Sequence, residues 1–359
     1  MNSAKISIRY FLSLLPGTLV VAGNLAGGWW TMANVLFTMV LLIAFENFSR
    51  EQKQPPEITD GTVPDIILAL HVVLHTASVF TLLYAVHTGI LTGIFIWIAS
   101  ISTGISSGIE GINSAHELIH RKKWVARLGG IWNLLLVNYA HFYIEHIRGH
   151  HRFIGTNRDP ATARYGESFY QFFLRTVPAQ FKSAMALEAE RLRKSGISIF
   201  SPHNIMLRLI LIQLAICMIV FVITGGIGLF VYLNQSIVAF FLLEYVNYIE
   251  HYGLQRNEGE KVNVTHSWQC DLPISRFALI ELSRHSDHHL TASRPYYQLI
   301  SHEESPVLPS GYFGSFYWAL IPPVWFKKVN PVLDAFLENK KMIAIQQKKT
   351  QRMDKNSFQ

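Results

Sequence analysis

Three stretches of this 359-residue chain contain no Asp, Glu, Lys or Arg: Tyr10 to Phe45, Ile66 to Ile109 and Leu209 to Leu243, which are 36, 44 and 35 residues long. A helix rises ~1.5 Å per residue and crosses a ~30 Å hydrocarbon layer in about 20 residues, so each run holds two spans, the shorter runs two short ones. Each also has turn residues near its middle: Gly23-Asn24 and Gly27-Gly28, then His87-Thr88-Gly89, then Gly225-Gly226. The expected fold is therefore all-α, a single integral membrane domain over residues 1–359 with six transmembrane helices in three hairpins. Half of the residues are hydrophobic and only 15% are charged, and every Lys and Arg lies at a terminus or between the runs. Positive residues mark the cytoplasmic side, which puts both termini and the connecting segments there. The first run is too long for a secretory signal and lacks a small-residue cleavage site, so it reads as an anchor.

The segments between and after the spans, about 113–205 and 247–339, carry nine histidines in four clusters. These are His116 and His120 in HELIH, His146, His150 and His151 in EHIRGHH, His251 in NYIEHYGL, and His285, His288 and His289 in RHSDHH. Rings at i and i+4 on a helix face the same way and can share a metal. That spacing pairs His116 with His120 and His146 with His150, and leaves His151 about 100° away for a second metal. RHSDHH offers i, i+3 and i+4. His251 stands alone but beside Glu250 at the end of a span. Nine imidazoles can saturate two metal ions, so a histidine-rich dimetal centre is expected. HELIH alone matches zinc proteases, but seven further histidines would then be surplus. Ligating histidines hand their second ring N–H to an acceptor, a role assigned to Glu117, Glu145, Glu250 and Asp287, any of which could instead bridge the metals. His71, His75, His87, His203 and His302 are left out, and His141 and His266 are intermediate.

All nine must lie on one side of the membrane. The apolar segment Leu128 to Ile144 would, if it crossed, strand EHIRGHH opposite HELIH, so it reads as an interfacial, re-entrant or bundle-buried helix. The net charge of +7 and pI of 9.3 come mainly from Arg121 to Lys123, the Arg191 to Lys194 group and the tail from Lys340. Such charge suits anionic lipid headgroups or an acidic redox protein; no nucleic-acid motif occurs, and no nucleic-acid partner is expected. The two cysteines, Cys217 and Cys270, form neither a disulfide framework nor a Cys-x-x-Cys pair. Any electrons must come from a separate protein. The tail 340–359 is expected to be a short helix that frays. Transport of metal through the membrane would need ionisable groups along the spans, which the charge-free runs do not offer.

The stretches NSAHELIHRKKW, EHIRGHHRFIGTNRDPATARYGESFY, NYIEHYGLQR and LSRHSDHHLTASRPYYQL, with PSGY and IPPVWF near Pro309 and Ile321, resemble the motifs of membrane alkane 1-monooxygenases and related xylene methyl-hydroxylases. These form one branch of the integral-membrane diiron hydroxylases and desaturases. The DPATARYGES segment and NYIEHYGL set this branch apart from fatty-acid desaturases. Arg121 stands where many relatives have Lys, and Ser283 where Gln commonly precedes Arg; neither change removes a histidine. The resemblance implies two iron ions on the nine histidines and O2 as co-substrate. It implies hydroxylation of the terminal methyl of medium- or long-chain n-alkanes to 1-alkanols. Electrons would come from rubredoxin, with rubredoxin reductase and NAD(P)H upstream. Aromatic methyl, fatty acyl or terpenoid substrates are the same-fold alternatives. Imidazoles suit iron, zinc and copper alike, so the residues alone leave the metal open. The site would sit at the cytoplasmic face of a bacterial inner membrane, reached from the bilayer through a channel lined by the first three spans.

Overall fold

A computed structural model describes residues 8–54, 58 and 60–356. Among them the chain is helical apart from turns and loops, with one isolated bridge between Gln269 and Val307. Five helices are long and apolar enough to cross a membrane: α1 Ile8–Ala26, α2 Gly28–Phe48, α3 Thr62–His87, α4 Ile94–Ile119 and α8 Ile205–His251. Shorter elements carry or support the histidines: α5 Trp124–Leu136; α6, made of Phe142–Glu145, His146–His150 and His151–Phe153; α7 Phe169–Lys194; α9 Pro273–Ala278; α10 His285–Leu290; α11 Ser315–Leu320; and α12 Pro322–Asn356.

The breaks between apolar helices fall where glycine supplies a backbone that other residues resist. Gly27, at φ 69° and ψ −172°, separates α1 from α2, whereas Gly23 and Asn24 stay inside α1. Asn24 is buried and donates to Ser78 O. The second break follows His87, with Gly89 and Gly93 both at positive φ. At 47 residues α8 would be about 70 Å long if straight, more than twice a bilayer. It is not straight: Gly225 adopts φ 71°, ψ −169° within it. The two arms meet at Asn138, which accepts from Cys217 Sγ at 3.5 Å and donates to Ser236 Oγ at 3.0 Å. The chain therefore doubles back at Gly225.

Much of the apolar surface faces outward. Leu211, Leu214 and Val222 on the first arm of α8 are 64%, 60% and 73% exposed, a surface that hydrocarbon, not water, would cover. The apolar Leu128 to Ile144 segment does not form a span. Its helix α5 has only 13 residues and stops at Leu136, just before Asn138 at φ 54°. Helix α12 runs without interruption to Asn356; residues 357–359, the end of the tail expected to fray, lie outside the described residues.

Candidate metal centre

Two helices place their histidines through π turns, in which the N–H reaches back five residues. In α4 the turn covers Ser107–Ile112, immediately before His116. In α6 it covers His146–His150, and His151 N–H reaches His146 O. The wider turn aligns i with i+5 rather than i+4. His146 consequently faces His151, Nε2 to Nε2 at 3.0 Å, and His150 points elsewhere. The expected sharing of one metal by His146 and His150 is thus corrected: the inserted residue of the π turn rotates His150 away.

All nine expected histidines converge, in two groups. His116, His120, His146, His151 and His288 form the first, and His150, His251, His285 and His289 the second, with the candidate ligand atoms in each within 4.8 Å of one another. In the first, His288 Nε2 lies 3.2 Å from His151 Nε2. In the second, Nε2 of His289 is 2.8 Å from His285 and 3.2 Å from His150, and His251 is 3.2 Å from His285. Helix α10 serves both: His285 and His289, one turn apart, go to the second group and His288 to the first.

A neutral imidazole carries one N–H and one lone pair. Several Nε2 atoms facing one another, with the Nε2 atoms of His116 and His120 buried and without hydrogen-bond partners, leave lone pairs pointing at shared points. Burial first, and neighbouring imidazoles second, push His120 down to about 4. The same causes hold His146, His151, His285, His288 and His289 well below the ordinary histidine value. The rings are therefore neutral at pH 7, the form that ligates a metal. This donor set fits two metal ions.

The carboxylates divide differently from the expectation. Glu250 Oε2 lies 3.2 Å from His285 Nε2, and its Oε1 accepts from Tyr312 Oη at 2.8 Å. Glu117 instead pairs with Arg121 at 2.7 Å and accepts from Tyr296 N. Glu145 is buried beside Ser183, with one oxygen unpaired. Asp287 binds Arg294, His302 and Ile300 N. The acceptor that the sequence reading missed is Asp159. Its Oδ2 lies 2.9 Å from His150 Nδ1 and is held by Thr162 Oγ1 at 2.6 Å, while Ala161 N donates to Oδ1. Although burial alone would raise it, the neighbouring His150 and these hydrogen bonds keep Asp159 below the usual carboxylate range. Its signal was the DPATARYGES segment itself; Tyr312 likewise lies within PSGY. His141 packs against Tyr139 with its ring tilted by 57° and His266 caps its own turn at Asn263, and neither joins a group.

An apolar cavity ends on the histidines. Its inner wall includes His116, His146, His285 and Glu250, and its outer wall Met39, Ile43, Ile109, Ile112, Leu242, Val246, Phe313 and Phe316. Its span walls are α2, α4 and the second arm of α8, with α6, α10 and α11 closing it, so of the first three spans only α2 lines it. Helices α1 and α3 pack outside it.

Fold and site together define a helical protein with five helices apolar enough to cross a membrane and two clusters of histidines that could hold metal ions. Residues 91–312 match the family model described as fatty acid desaturase. Alkane 1-monooxygenase 1 of Pseudomonas aeruginosa is 41% identical over 245 residues, covering 67% of this chain and 64% of that protein. Alkane 1-monooxygenase of Ectopseudomonas oleovorans is 33% identical over 343 residues, 88% of this chain and 82% of that one. The hydroxylase component of xylene/toluene monooxygenase of Pseudomonas putida is 31% identical over 221 residues, 61% and 59% of the two chains. The chain belongs to the fatty acid desaturase family and, within it, groups with the alkane 1-monooxygenases. It spans just under two thirds of the length of the Pseudomonas aeruginosa relative.

Proposed function

We propose that this chain is a non-haem diiron membrane monooxygenase that hydroxylates the terminal methyl of medium- or long-chain n-alkanes to 1-alkanols. The observation that carries the reading is the convergence of nine histidines, in groups of five and four, with His116, His146 and His285 in the wall of an apolar cavity. Two iron ions held by these groups would supply the reductive activation of O2 that an unactivated C–H bond demands. The protein's part is positioning and exclusion of water. A cavity walled by Ile, Leu, Val and Phe offers an alkane no hydrogen bond, so only shape can orient it, with its end against His116, His146 and His285. Glu250 is the carboxylate in that wall, and Tyr312 Oη fixes one of its oxygens so that the other faces His285. It can hold or release a proton beside the reacting methyl.

The doubling of α8 at Gly225 supports six spans in three hairpins. Their tips at Gly27, Gly89 and Gly225 would share one side of the membrane, with the histidines and the Lys and Arg clusters on the cytoplasmic side of a bacterial inner membrane. Electrons would come from rubredoxin. A basin of about 720 Å³ lined by Arg158, Arg164 and Lys182 has the buried Asp159 among its walls, one hydrogen bond from His150. An acidic donor docked there would stand close to the second group. The xylene/toluene relative, with Phe142, Phe313 and Phe316 in the cavity wall, favours an aromatic methyl group as the second reading.

The test is product analysis under ¹⁸O2, with membranes containing the protein, iron, rubredoxin, its reductase and NADH, over a panel of n-alkanes and methylarenes. Labelled 1-alkanols that disappear in His288→Ala support the proposal. Labelled benzylic alcohols alone move the assignment to the second reading, and no labelled alcohol from an iron-loaded, reducible preparation overturns both.

A further inference from the structure

We infer that the groove between α3 and α5 is a binding site for an anionic phospholipid. The groove holds about 610 Å³. One wall is Leu68, Ala69 and Val72 of α3, the other Val125, Ala126 and Gly129 of α5, so its length is apolar. Its rim is cationic. Arg121, Lys122 and Lys123 line it beside a single acid, Asp65, which Arg121 already engages at 3.5 Å while also pairing with Glu117. Lys122 and Lys123 form no salt bridge among the described residues. Helix α5 begins directly after them with no side-chain cap and no acid in its first turn, which adds unpaired N–H groups to the same rim.

The two ends of the groove differ in depth. From Asp65 to Val72 is seven residues along α3, about 10 Å at the helical rise, and polarity falls from charged to wholly apolar over that distance. A charged rim above an apolar slot fits an amphiphile with a negative head, not an alkane, which has nothing to give a lysine. The outer surface of α5 says which amphiphile. Trp124, Val125 and Leu128 are 66%, 62% and 52% exposed, so this short helix rests its apolar face in the headgroup boundary and the groove opens sideways to the bilayer. A resident phospholipid can slide in with its chains still in hydrocarbon and its phosphate at Lys122 and Lys123. His120, one of the two half-buried histidines of the first group, lines the inner end. The lipid would cover that group on the side away from the substrate cavity.

Native mass spectrometry of the full-length protein in mild detergent, titrated with phosphatidylglycerol or phosphatidylcholine, tests this without reference to turnover. The wild type should retain phosphatidylglycerol in preference to phosphatidylcholine. Lys122→Gln with Lys123→Gln should weaken phosphatidylglycerol binding about 30-fold, from roughly fivefold per lysine near an anionic headgroup. Lys122→Arg with Lys123→Arg, which keeps the charge, should retain it. Gly129→Leu should displace it by filling the slot, since even a Cβ at Gly129 would lie 3.3 Å from Val72 Cγ2. Equal retention of the two lipids, or unchanged binding in the folded double Gln variant, overturns the site. A bound mass corresponding to a fatty acid overturns the phospholipid assignment. Loss of alkane hydroxylation with lipid retention intact would count against the proposed reaction and leave this site standing.

Discussion

Replacing Asp159 by Asn separates the two metal groups. Asp159 accepts three hydrogen bonds in a buried pocket: from Thr162 Oγ1 and His150 Nδ1 on Oδ2, at 2.6 and 2.9 Å, and from Ala161 N on Oδ1, at 3.0 Å. Accepting the Nδ1 proton leaves the lone pair of His150 on Nε2, which faces His289 Nε2 at 3.2 Å. An amide has one oxygen for these donors. If that oxygen serves Ala161 N, the NH2 meets Nδ1, and His150 must carry its proton on Nε2, where it cannot ligate. Outer partners of this kind contribute about 10- to 100-fold in metal affinity, roughly 1.4 to 2.7 kcal/mol. A tautomer switch belongs at the upper end. Because the second group has only four imidazoles, Asp159→Asn should weaken one of the two metals by about 100-fold while the five-histidine group keeps its own. Anaerobic Fe(II) titration of the purified protein against a competing chelator would read this as one tight and one weak site. Asp287→Asn is the control: Asp287 contacts Arg294, His302 and Ile300 N but none of the nine histidines, so both sites should stay tight. Two unchanged sites in Asp159→Asn, or a larger loss in Asp287→Asn, would refute the reasoning.

Arg284 is fully buried. It donates to Asp271, to Leu299 O at 2.6 Å and to the carbonyls of Lys53 and Gln54 at 3.1 Å. Arg284→Met removes the cation beside the buried Asp271, leaving it the Ser301 hydroxyl, and unties the 50–54 linker from the start of α10; it should cost about 3–5 kcal/mol in mixed-micelle denaturation, and Arg284→Lys should recover only part of that. Gly225→Ala should cost about 1–3 kcal/mol, because φ 71° with ψ −169° is open essentially to glycine alone. Gly226→Ala, equally free of neighbours within 4 Å but not at positive φ, should be tolerated in the same thermal unfolding assay. Burial would raise the Glu188 carboxyl, but Arg191, Ile205 N–H and Arg148 outweigh it and hold it at about 2. A folded value below the unfolded 4.5 means a contribution present above about pH 4.5 and lost as pH falls toward 2. The gap in melting temperature between wild type and Glu188→Gln should close over that window.

The spans were legible because absence of charge over tens of residues has few other causes, and their breaks because glycine at positive φ is a local property. Gly27 and Gly225 turn the chain where the composition pointed, while Gly23 and Asn24, equally turn-like in sequence, stay helical because the Asn24 amide finds Ser78 O and Thr81 Oγ1 on a neighbouring helix. That partner lies 54 residues away, beyond the reach of local pattern. The lining of the cavity was illegible for the same reason. The cavity-facing residues Met39, Ile43, Ile109, Ile112, Leu242 and Val246 are apolar like those that face outward. Buried polar residues of the spans such as Asn34, Ser100 and Gln235 bond to neighbouring backbone instead, so composition does not mark the face that α2, α4 and the second arm of α8 turn toward the histidines.

All nine histidines were legible as a set, yet their partition and their supporting acids were not, and both gaps come from helix geometry. On a helix a sequence neighbour points about 100° away, so Glu117, Glu145 and Asp287, each adjacent to a ligand candidate, have their carboxylates directed to other partners. A ring that faces inward finds its acceptor on another element or loop, as His150 does at Asp159, nine residues on and past the end of α6. Glu250 is the informative exception: it touches His285, which follows it by 35 positions, and not the adjacent His251. The π turn then alters the period itself. At i+5, His146 and His151 face one point and His150 the other, so a single inserted residue lets one short helix serve both groups. With a regular turn, His146 and His150 would face the same point, and the second group would lose the ring that Asp159 orients.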